Sequence, residues 1–134
     1  MDYKTAYTAI QGYFSTVWAG ATEVLYDDDP APIPNAETWV RLNIRHTDGF
    51  QATMGDVGNN RFNRTGIIIV QIFQKQGQYG IAARDLAKNA LQLFEGVTDN
   101  GVHYFDASVR EIGADGHGWY QINVVANFRY DELA

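Results

Sequence analysis

The chain has 134 residues, no cysteine, three prolines and a formal net charge of -6. One domain is the natural count for this length, and the missing thiols exclude disulfides, thiolate metal sites and cysteine nucleophiles. An acidic balance argues against wrapping nucleic acid, because that affinity comes mainly from Lys and Arg neutralising phosphates.

The start, MDYKTAYTAIQGYF, has no basic segment followed by an unbroken apolar one. Neither a signal peptide nor a membrane span is indicated, and a soluble chain made in the cytoplasm is expected. Residues 3 to 18 place Tyr3, Ala6, Tyr7, Ile10, Tyr13, Phe14 and Val17 on one stripe of a helix, with Asp2 as N-cap and Gly20 as the stop. Gly12 costs that helix about 1 kcal/mol against Ala, so the aromatic face must hold it. Thr22 to Tyr26 reads as an edge strand, and DDDPAPIPN, with three carboxylates and three prolines, as an extended exposed loop.

From Thr38 to His46 the alternation is clean: Val40, Leu42 and Ile44 face one way, Trp39, Arg41, Asn43 and Arg45 the other. Residues 47–63 follow as a long β-hairpin arm, whose Phe50, Met54, Val57 and Phe62 are more apolar than a solvated loop requires. The run RTGIIIVQIFQK then carries apolar groups on both sides of the pleat, so it belongs in the middle of a sheet and neither of its faces tolerates water. Gly77 and Gly80 bracket a short turn, after which Ala83, Leu86, Ala87, Ala90, Leu91 and Phe94 share one helical face, with Gly96 as a left-handed cap. Two strands close the chain, Val102 to Ile112 and Trp119 to Tyr130, joined by the glycine-rich turn GADGHG. In the last of them Tyr120, Ile122, Val124, Ala126, Phe128 and Tyr130 all face one way. These elements predict a single α+β domain over residues 1–134: a mostly antiparallel twisted sheet of four to five strands with two helices packed on one face. The other face of the sheet is then short of cover, which a second copy of the chain would supply.

Catalytic patterns are scarce. Ser15 and Ser108 sit inside a helix and a strand pattern, without the strained turn of a nucleophile elbow. His46, His103 and His117 lack metal-ligand spacing, and Asp27, Asp28 and Asp29 lack the spaced ligands and glycine of a calcium loop. Gly77-Gln-Tyr-Gly80 lacks the Gly-Lys-Ser/Thr ending of a phosphate loop. No cofactor and no enzymatic activity is expected. What stands out is arginine beside large apolar groups in an otherwise acidic chain. Trp39, Arg41, Arg45, Phe50, Met54, Arg61, Phe62 and Arg64 have the composition favoured at desolvated protein contacts, and they are the candidate contact residues.

The course of the chain resembles the tail terminator, or tail completion, proteins of long-tailed bacteriophages. The likeness covers the N-terminal helix ending near Trp18, the Pro-rich loop, the strand TWVRLNIRH, the arm, and RTGIIIVQIFQKQGQYG leading into IAARDLAKNALQLFEG; VHYFDASVREIG and WYQINVVANFRYDE fit the same plan. Its most telling part is Arg64-x-Gly66 at the head of the central strand, with the glycine turn and the helix ending near Phe94. The resemblance implies a non-enzymatic ring, typically a hexamer, that sits on the end of a tail tube, stops its growth and meets the head connector. DNA would pass through without specific binding. Such a protein waits in the host cytoplasm and ends in the virion tail. Two other readings stay open: another head-tail joining or tube component, and a small α+β ligand-binding domain or enzyme using the open sheet face.

Overall fold

The isoleucine-rich run does lie at the centre of the molecule. In the computed structural model, which describes Met1–Ala134, it is part of β3 (Arg61–Lys75), flanked along its length by β2 (Thr38–Gln51) and β6 (Trp119–Leu133), both antiparallel to it. Outside these lie β1 (Glu23–Tyr26) and, on the other flank, β5 (Val102–Ala114) and β4 (Val97–Asp99). The order across the sheet is β1-β2-β3-β6-β5-β4.

The sheet is therefore six-stranded and mixed, not a mostly antiparallel one of four to five strands. β1 runs parallel to β2 because the eleven residues 27–37, rich in proline, carry the chain back to the end where β1 began. β4 is only three residues long and follows directly on a helix, too short for any periodicity to register.

Two helices, α1 (Tyr3–Trp18) and α2 (Ile81–Phe94), cover one face. Their buried residues, among them Ile10, Phe14, Ala87 and Phe94, merge with Val40, Leu42, Ile68, Val70, Val124 and Phe128 of the sheet into one core. Asp2 caps α1 as its spacing indicates, its carboxylate accepting from the Thr5 N–H at 2.7 Å. The buried stripe of α1 is Ala6, Ile10, Phe14 and Trp18, whereas Tyr3 and Val17 face solvent. The helix stops at Ala19, which is itself left-handed, one residue before Gly20.

α2 begins without a capping side chain of its own. Gln74, at the end of β3, is buried and supplies the missing acceptor: its Oε1 takes the Ala83 N–H at 2.9 Å, while its Nε2 donates to Gln78 Oε1. Past the other end of α2, Gly96 adopts the left-handed conformation foreseen for it, with φ of 67°.

Gly66 explains itself by close approach. A methyl group there would collide with the Arg45 carbonyl oxygen and with the Phe128 ring, so glycine lets β2, β3 and a core aromatic meet at one point. Beside it, β2 carries a bulge between His46 and Asp48.

Candidate functional site

Beyond that bulge the sheet runs on as the arm. β2 and β3 stay paired as far as Gln51 opposite Phe62, so only residues 52–60 form a loop. β6 accompanies β3 to the pair Leu133–Arg61, and Ala134 exchanges two backbone hydrogen bonds with Asn60. The arm is thus three strands wide at its base.

Its loop is built rather than slack. The Arg61 N–H donates to Thr53 Oγ1 at 2.7 Å, and the Asp56 N–H donates to Asn60 Oδ1 at 3.1 Å. Gly55 and Gly58, both at φ of 93°, turn the chain between these ties. This framework holds apolar side chains out in solvent: Phe50 is 62%, Met54 85% and Val57 96% exposed. Large apolar side chains exposed on a braced projection make this loop the candidate contact surface.

The arginines behave differently from the patch that composition suggested. Arg64 lies over the Phe62 ring, 5.0 Å from its centroid, and its Nη2 stands 3.1 Å from Glu132 Oε1. Arg61 is 3.8 Å from Asp131, and Asn63 donates to the same carboxylate at 3.2 Å. Both arginines therefore tie β3 to β6 at the base of the arm. Arg45 pairs with Asp27, whose hydrogen bonds hold its guanidinium pKa above the usual value. Arg41 alone of the four has no carboxylate within ion-pair reach; its guanidinium sits 5.4 Å from the Trp39 ring centroid.

Trp39 is 2% exposed and stacks on Phe73 at 4.2 Å, inside a small cluster with Leu25. It is a core residue of the uncovered face, not a surface contact. The eight candidates thus fall into two groups. Trp39, Arg41 and Arg45 stand on the lower sheet, and Phe50, Met54, Arg61, Phe62 and Arg64 on the arm.

No helix covers the face bearing Arg41 and Arg45. Ile67, Ile69 and Val125 are half-buried there by their neighbours alone, among Asn43, Gln71, Asn123 and Asn127. Asn43 donates to Gln71 Oε1 at 3.0 Å and Gln121 to Asn123 Oδ1 at 2.8 Å, so part of this amide layer is already satisfied within the chain. A cleft of about 520 Å³ opens between this face and the Asp27–Pro30 turn, yet its charged lining includes the Asp27–Arg45 pair already closed on itself. No group of three His, Asp or Glu side chains converges anywhere to hold a metal ion, and no helix is long and apolar enough to cross a membrane.

One residue of consequence is not visible from spacing. His46, at the bulge, places Nε2 2.8 Å from the Tyr130 hydroxyl and its ring 4.5 Å from that of Tyr3. Burial lowers its pKa, and the nearby Arg64 guanidinium pushes the same way. It locks the N-terminus of α1, β2 and β6 together where the arm begins.

No family model matches the sequence, and none of the curated proteins matches it. Solved structures do share its fold. One, which carries no descriptive name, is 15% identical and superimposes with a TM-score of 0.71 over 100% of this chain and 99% of its own. Another is a chain from the virion of a native gene transfer agent particle, 20% identical, with a TM-score of 0.60 over 98% of this chain and 100% of that one. Both likenesses run over nearly the whole of each chain.

Proposed function

We propose that the protein is a structural component of a phage-like particle, and within it the ring that ends the tail tube. The observation that carries this is the full-length match in fold to a chain of a gene transfer agent virion, joined to a braced arm whose tip presents Met54 and Val57 to solvent. A virion part works by binding, and the exposed apolar side chains of the arm supply a surface for that. Among virion parts, the resemblance of its Arg64-x-Gly66 strand and following helix to tail terminators supports the terminator reading. On this reading the arm docks on the last ring of the tube or on a neighbouring copy, and six copies close by heterologous contacts. A net charge of -6 suits a channel through which DNA slides without sticking. The ring forms in the host cytoplasm during assembly and remains in the particle tail. No reaction is part of this function.

The test is electron microscopy of tail tubes growing in the presence of the purified chain and of the tube protein from the same particle. The expected result is a single ring on one end of each tube and an arrest of lengthening. Tubes that incorporate the chain along their length would make it a tube subunit instead, and tubes that ignore it would remove it from the tail.

A further inference from the structure

The two edges of the sheet are stepped. β1 covers β2 only along Trp39–Leu42 and leaves Asn43–Gln51 without a neighbour; β4 covers β5 only along Val102–Tyr104 and leaves Phe105–Ala114 bare. The covered parts lie at opposite ends, β1 near Trp39 and β4 near the arm. Bare strand edges offer unpaired N–H and C=O groups to another strand. Because β2, β3, β6 and β5 alternate in direction, copies standing side by side with the same polarity bring β2 of one antiparallel to β5 of the next.

We propose that Asp48–Gln51 of one copy pairs antiparallel with Ala107–Arg110 of the next, with Asp48 opposite Arg110, so that neighbouring copies share one continuous sheet. This rests on the ring proposed above and specifies how its subunits join. Three features favour the pairing. First, Asp48 and Arg110 have no ion-pair partner in their own chain, both fall on the face away from the helices by their pairing with Thr65 and Asn123, and opposite charges directly across strands attract. In the lone chain the Asp48 carboxylate instead accepts from the Gly49 N–H at 2.7 Å, occupying a backbone donor next to the bare edge.

Second, irregularities lie beside both runs: one bulge precedes Asp48 in β2, and in β5 the regular run is Ser108–Glu111, with Ala107 inside the preceding bulge. β2 is bulged between His46 and Asp48, and β5 between Phe105 and Ser108 and again between Glu111 and Gly113. Bulges next to a short run limit how far it can slip and discourage indiscriminate edge pairing. Third, the offset suits closure. Asp48 is level with Arg129 of β6, through Thr65, and Arg110 is level with Asn123. A neighbour is then displaced by the six residues from Asn123 to Arg129, about 20 Å along the strands, over a lateral step of four strands, about 19 Å. The resulting tilt of about 45° is at the upper end of the range in which sheets close into barrels. A stagger of this size is compatible with closure of the repeated contact into a ring.

The chain contains no cysteine, which gives a clean background for an Asp48→Cys, Arg110→Cys double variant oxidised in the presence of tubes. A non-reducing gel should show a ladder of head-to-tail covalent oligomers, absent from a Lys4→Cys, Arg110→Cys control. Separately, Asp48→Arg and Arg110→Asp should each raise the concentration needed for rings several-fold, and the double reversal should bring it back. Rings seen by microscopy with no ladder, or rings indifferent to both single reversals, overturn the strand pairing and leave the ring itself standing. A chain that forms no rings under any of these conditions overturns both.

Discussion

His46 is half-buried against Tyr3, Phe128 and Tyr130, with the Arg64 guanidinium as the charge that acts on it. In the unfolded chain its imidazole takes a proton near the ordinary value of 6.5, and in the folded chain only at lower pH, because burial penalises the charged ring. Between those two values the unfolded state binds more protons, so stability rises with pH through the window. The contribution of neutral His46 is fully present above pH 6.5 and is lost as pH falls below it toward the lowered value. Denaturation midpoints measured across this range should decline below pH 6.5 in the wild type, and His46→Gln, which keeps a hydrogen-bonding group for the Tyr130 hydroxyl, should flatten that part of the profile. An unchanged slope in the variant would remove His46 from the account of this window, since Asp2, whose pKa is lowered from 3.8 by its bonds to Thr5, contributes to the pH profile only in the more acid range below it.

At the scale of elements, the junction between β3 and α2 depends on one side chain. Gln74 is 1% exposed and its amide oxygen is the acceptor for the Ala83 N–H. Gln74→Leu keeps most of the volume but leaves that buried donor unsatisfied, which costs about 1–3 kcal/mol. Urea denaturation should show this as a lowered midpoint with an unchanged slope; a variant as stable as the wild type would mean that the helix start finds water instead. The same junction shows what a sequence reveals and what it hides. β3, α2 and β6 are legible because the alternation of Tyr120 to Tyr130 and the helical spacing of Ala83 to Phe94 are local patterns. Gln74 reads as an ordinary polar residue at a strand end, since its partner lies across a turn. The contact arginines stand out by the company they keep in sequence, yet Arg61 and Arg64 are claimed by Asp131 and Glu132, some seventy residues downstream, a pairing that only the β3–β6 register decides. β1 was legible as a strand but not as a parallel one, because direction is set by the path of residues 27–37 and not by the strand's own residues.

For the molecule as a whole, the distribution of apolar surface separates what folds the chain from what it is free to bind. The helices and one face of the sheet enclose the core, and the small cluster of Leu25, Trp39 and Phe73 closes one end of the opposite face. Neither cluster contains Met54 or Val57, although the hydrogen bonds from the Arg61 and Asp56 N–H groups hold their loop in shape. Large apolar side chains this exposed contribute almost nothing to folding, so replacing them separates assembly from stability. Met54→Asp together with Val57→Asp should leave the thermal midpoint within the change expected of surface substitutions, about 0.5 kcal/mol or less. The same change places two carboxylates where a partner would have to desolvate them, a cost of several kcal/mol if they are buried without partners. Tube capping should therefore be lost with the fold intact, read by microscopy beside a thermal melt of the same preparation. Capping that survives both charges would show that the tip stays in solvent in the assembled particle, and the contact would then have to lie on the sheet face or its edges.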